Sequence, residues 1–101
     1  MEKSQSKTKQ KLETRRARRY KVIFLNDNFT SFEFVALALI THFSKLPDQA
    51  TLIATEVHEK GRAVAGVFSK EVAMEKIKVV QQEAKQEEYP LKLVMEPEEQ
   101  D

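Results

Sequence analysis

Apolar and polar positions divide this chain into stretches with different periods. Residues 1–19 hold only three apolar side chains, Met1, Leu12 and Ala17. That is too little burial to offset the entropy of ordering the backbone, so residues 1–19 are expected to form a flexible basic arm. At Tyr20 the pattern turns to YKVIFLN, a run of strand formers closed by Asn26-Asp27-Asn28. This predicts a buried strand ending in a turn.

Three helices and two further strands follow. Thr30 and Glu33 have the spacing of a capping box, and FVALALITHF extends a helix to about Phe43. That helix is apolar almost all round, so it is expected to be covered on most sides. Pro47 suits the first turn of a second helix, with Ala50, Ile53, Ala54 and Val57 on one face and Gly61 at its end. RAVAGVF (62–68) reads as a second strand, with Gly66 marking a close backbone approach. Ser69 is a candidate cap for a third helix, whose apolar stripe is Val72, Ala73, Ile77, Val80 and Ala84. Pro90 stops that helix, LKLVM (91–95) reads as a third strand, and residues 97–101 form an acidic tail. The order β-α-α-β-α-β predicts an α+β single domain over residues 20–96. Its three-stranded, mainly antiparallel sheet would carry three helices on one face.

Composition narrows the chemistry. With 101 residues the chain builds one core and not two. It has no Cys, which excludes disulfides, thiolate metal sites and a Cys nucleophile. No apolar run reaches the ~18–20 residues of a membrane span, and the N-terminus lacks a secretory apolar region. A soluble intracellular protein is the expectation. The net charge of +1 is a balance of unlike parts: +7 over residues 1–21, −2 over 22–95 and −4 over 96–101.

Candidate chemistry is sparse. Only Gly61 and Gly66 are available, so there is no phosphate-cradling loop. No metal-ligand spacing appears. Ser31 and Ser69 sit at helix starts, and no serine has a recognisable base beside it. Catalytic residues, a metal and a cofactor are therefore not expected. His42 is explained by the end of the first helix, where a cation suits the dipole. His58 closes the stripe of the second helix and reads as structural or as part of a site. Asn26-Asp27-Asn28 reads as a turn, or as a cluster of oxygens suited to an ammonium group. The segment RRARRYK would attract phosphates. A nucleic-acid or ribosome-associated role is therefore the rival to protein binding, although the folded part lacks a basic stripe.

The ordered combination YKVIFLNDNFTSFEFV, EVHEKG and GRAVAGVFSKEVAMEK resembles the ClpS family, adaptors of the bacterial Clp protease. The resemblance covers Tyr20 to Glu96. It implies a fold like the C-terminal domain of a ribosomal stalk protein. It also implies an adaptor for N-end-rule degradation, which binds proteins whose first residue is Leu, Phe, Tyr or Trp and hands them to a Clp AAA+ unfoldase. Carried over by position, Asn26, Asp27 and His58 would hold the substrate's free α-amino group. Phe32, Val35, Ala54 and Val57 would line the pocket for its first side chain. Glu71 and Lys76 would dock on the unfoldase's N-terminal domain, and the arm would be engaged by that unfoldase during delivery. The implied partners are the unfoldase and N-degron proteins, with no nucleic acid and no membrane, and the implied state is a monomer. The implied location is the bacterial cytoplasm, with the plastid stroma as the alternative.

Three positions depart from the family pattern. Phe32 and Ala54 stand where Met is common, so the pocket is expected to be reshaped, with the space at Ala54 favouring a large aromatic ring. Asn28 replaces an acid beside Asp27, which makes the pocket entrance less negative.

Overall fold

The structure, a computed structural model, describes residues 18–99. The expected arm lies almost wholly outside the described residues, as does the end of the acidic tail. The elements are β1 (Arg19–Leu25), α1 (Phe32–Phe43), α2 (Pro47–Lys60), β2 (Arg62–Ser69), α3 (Lys70–Gln86) and β3 (Lys92–Pro97). Element order and type match the hydrophobic pattern. β1 starts one residue before Tyr20, because Arg19 pairs with Ser69 across the sheet.

β1 is the central strand of a sheet ordered β2-β1-β3, and both of its pairings are antiparallel. A central strand has a neighbour on each side, which is why its apolar run is the most buried. Val22, Ile23 and Phe24 have no exposed surface. Val22 and Phe24 join the core under the helices. Ile23 points to the other face, where its register partners are Val64 and Val94.

The core is small-residue packing around a few rings. Ala50, Ala54, Ala63, Ala65, Ala73 and Ala84 are buried with Val35, Leu39, Val57 and Val80. The Phe24 and Phe43 rings meet edge-on at 5.5 Å, and Phe68 lies 5.9 Å from Phe43. Fully burying each such side chain contributes about 1.5–3 kcal/mol.

Four expectations are corrected. Ser31, not Thr30, caps α1: its hydroxyl accepts from the Phe34 N–H at 3.0 Å. Thr30 is drawn instead to Asp27. α1 is not covered on most sides, since Leu37 is 59% exposed and Ile40 37%. An apolar residue on a helix does not have to be buried, because folded surfaces carry much apolar area. Val72 lies off the buried stripe of α3, at the first turn and exposed. At Gly66 the close neighbour is a side chain and not backbone: a Cβ there would stand 2.7 Å from the Phe68 ring. Gly66 also sits at the register shift between β1 and β2.

Candidate functional site

The site forms where the end of β1 meets the end of α2. The Asn26 N–H donates to the Gly61 carbonyl at 3.0 Å, which ties the loop after β1 to the α2 terminus. Gly61 makes that terminus sharp. It adopts φ 91°, in the left-handed region, and its N–H returns to the Val57 carbonyl. The last turn of α2, with His58, is thereby held against the loop.

The loop is organised around one carboxylate. Asp27 Oδ1 accepts from the Phe29 N–H at 2.8 Å and the Thr30 N–H at 2.7 Å. Asp27 Oδ2 accepts from the Thr30 hydroxyl at 2.7 Å. Partial desolvation pushes the Asp27 carboxyl up. The hydrogen bonds from the Thr30 N–H, the Phe29 N–H and the Thr30 hydroxyl outweigh it and hold the group below the ordinary value of 3.8. Asp27 is therefore a fixed negative charge at neutral pH.

A cavity of about 260 Å³ opens beside it. Its polar side is Asn26, Asp27, Asn28, Thr30 and His58. Its apolar side is Phe32, Val35, Ala54 and Val57. Val35, Ala54 and Val57 are 2–6% exposed and make the floor. Phe32 is 42% exposed and stands at the rim. The seven residues that the resemblance assigns to the cleft, from the loop after β1, α1 and α2, line one cavity. Thr30 and Asn28 complete it. Thr30 was hidden because its spacing to Glu33 also fits a helix cap. The Asp27-x-x-Thr30 spacing was the signal, since an Asp side chain bonds the backbone two and three residues on.

Glu71 and Lys76 are placed differently. Glu71 is exposed in the first turn of α3. Lys76 is half-buried, and its ammonium donates to the His42 carbonyl at 2.6 Å. It also lies 5.1 Å from the Phe68 ring centre and 5.6 Å from that of Phe43. At 3.6 residues per turn, two positions five apart leave a helix roughly 140° from each other. His42 is a link between helices: its Nε2 lies 3.0 Å from Glu83 Oε1 of α3.

One anchored carboxylate, one imidazole and an apolar floor give the cleft the chemistry to pair with a cation beside an apolar group. Residues 15–94 match the family described as "ATP-dependent Clp protease adaptor protein ClpS". The ATP-dependent Clp protease adapter protein ClpS of Acetivibrio thermocellus is 42% identical over 97 residues, covering 96% of this chain and 98% of that one. The protein of the same name from Bdellovibrio bacteriovorus is 51% identical over 79 residues, covering 78% and 69%. Agrobacterium tumefaciens ClpS2, solved bound to L-phenylalaninamide, superposes with a TM-score of 0.78 at 33% identity, covering 81% of this chain and 99% of that one. This chain belongs to the ClpS family of Clp protease adaptors.

Proposed function

We propose that the chain captures proteins by a free N-terminal Leu, Phe, Tyr or Trp in this cleft and delivers them to a Clp AAA+ unfoldase. The observation that carries the reading is the Asp27 carboxylate, held ionised at the polar side of a cavity whose floor is apolar. An α-ammonium has three donors and is costly to desolvate unpaired. Asp27 supplies the opposite charge. The Asn26 side-chain oxygen and a neutral His58 nitrogen supply two further acceptors. The first side chain enters between Phe32, Val35, Ala54 and Val57, where burial of a Leu or Phe contributes about 1.5–3 kcal/mol. ClpS2, which superposes on this chain, was solved with an amide of phenylalanine, a molecule with both features.

The chain works by binding and transfer of a substrate protein, not by catalysis. A cytoplasmic site of action belongs to this reading, and the bacterial origin of its relatives supports it. Among the described residues no helix is long and apolar enough to cross a membrane. Glu71 and Lys76 on α3 belong to the unfoldase-docking surface in this reading; exposed Glu71 makes the direct contact, and Lys76 holds α3 to the end of α1. A nucleic-acid role is not favoured, since the residues lining the cleft carry an acid and no Lys or Arg.

Fluorescence titration tests the reading, using peptides that differ only in the first residue, each with a free and an acetylated N-terminus. Binding is expected for free Phe and Leu termini and not for their acetylated forms. Equal binding of free and acetylated peptides would remove the ammonium site.

A further inference from the structure

The carboxylate of Asp27 has about four lone-pair directions. Two on Oδ1 are taken by the N–H groups of Phe29 and Thr30. One on Oδ2 is taken by the Thr30 hydroxyl. A single direction remains free, on Oδ2, and the Thr30 hydroxyl, by occupying the other, decides which one it is. Thr30 also lines the cavity itself. A hydroxyl has one proton and two lone pairs. With its proton given to Asp27, the Thr30 oxygen can only accept from anything inside the cleft.

We propose that Thr30 is a positioning residue of the ammonium site: its hydroxyl aims the free lone pair of Asp27 at the ligand and presents its own oxygen as an acceptor only. The proposal rests on the reading of the cleft given above. It accounts for a feature that helix capping leaves unexplained, because Ser31 already performs the capping. The arrangement favours a donor-rich cationic group and disfavours a ligand that brings acceptors. A neutral hydroxyl free to rotate would accept either kind.

Thr30→Val tests this cleanly. Val keeps the β-branched shape and the backbone N–H to Asp27 Oδ1, and it leaves the Ser31 cap in place. Only the hydroxyl is lost. Thr30→Ser keeps the hydroxyl and loses a methyl group. Affinity for a free-amine, Phe-first peptide is measured for all three proteins. The Asp27 carboxyl is titrated by NMR, which separates it from His58, the other titratable group lining the cleft. Thr30→Val is expected to weaken binding about tenfold or more, the scale of a lost hydrogen bond to a charged group, while Thr30→Ser stays within about threefold. The Asp27 titration should move up in Thr30→Val and not in Thr30→Ser. Unchanged affinity in Thr30→Val overturns the proposal, as does Thr30→Ser binding as weakly as Thr30→Val. If the wild-type protein binds acetylated and free peptides alike, the ammonium reading itself fails and this proposal falls with it.

Discussion

The Lys76 ammonium donates to the His42 carbonyl across 2.6 Å, joining the middle of α3 to the end of α1. The carbonyls of a helix's last turn lack intrahelical partners, and a cation there also meets the negative end of the dipole. Two aromatic faces, Phe43 and Phe68, add to the attraction. Lys76→Met keeps the apolar stem and removes the charge. It is expected to cost about 1.5–3 kcal/mol, the range for a hydrogen bond to a charged group, and to lower Tm by several degrees. Peptide affinity should change little. Glu71→Ala should show the reverse signature, with Tm unchanged and unfoldase binding weakened. Thermal denaturation with a pull-down on the unfoldase N-terminal domain separates the two. A Lys76 variant of full stability and lost docking would give Lys76 a direct role.

Asp27 links folding stability to pH. Its native titration lies below the ordinary 3.8, so its contribution to stability is present above that value and lost as pH falls through the native one. Asp27→Asn removes the titration. The stability difference between wild type and Asp27→Asn should be constant near neutrality and shrink only below about pH 4. Denaturant melts at several pH values measure it, and a difference that shrinks already at pH 6 would contradict the assignment. Asp27→Ala should reduce affinity for free-amine peptides by about tenfold or more.

Period and punctuation in the sequence carried most of the fold. The apolar run Val22-Ile23-Phe24, buried on both faces, the Pro47 start and the Gly61 stop each have a local physical cause. What escaped was decided by competition between local options. Thr30 had two roles within reach: its oxygen could accept from an α1 N–H, or its proton could go to Asp27. Ser31 takes the cap, and the Thr30 hydroxyl donates to the carboxylate. Lys76, which the resemblance puts on the docking surface, is half-buried against the end of α1. Its burial depends on the end of α1, 34 residues away in sequence, which no local pattern reports. Val72 fits the α3 stripe by spacing, yet lies in the exposed first turn.

Gly66 is fixed by a ring. A Cβ at this position would stand 2.7 and 2.9 Å from two atoms of Phe68. Phe68 in turn packs near Phe43 and Lys76, so the ring has little freedom to retreat. Gly66→Ala is therefore expected to destabilise by about 1–3 kcal/mol, the range for overpacking. Adding Phe68→Ala should relieve the clash, so the double variant should lose less than the sum of the singles. Strict additivity in denaturant melts would place the strain elsewhere.

The last prediction concerns Ala54, 2% exposed on the cavity floor. A helix position facing a cavity limits what can enter by the length of its side chain. Ala is the shortest choice that keeps helix propensity, so depth is left for the ligand. Ala54→Met fills that depth with a flexible side chain and remains a good helix former, so α2 should fold as before. A large ring would then meet an occupied floor. Overpacking costs about 1–3 kcal/mol, which corresponds to roughly 5- to 150-fold in affinity. The loss should fall most heavily on peptides beginning with Trp, Tyr or Phe. A Leu-first peptide is narrower and reaches less deeply, so it should lose less. The ratio of Phe-first to Leu-first affinity, measured by titration in wild type and Ala54→Met, isolates this from any general effect on the site. A ratio unchanged by the substitution would show that the floor at Ala54 does not set ligand size, and would shift selectivity to the Phe32 rim.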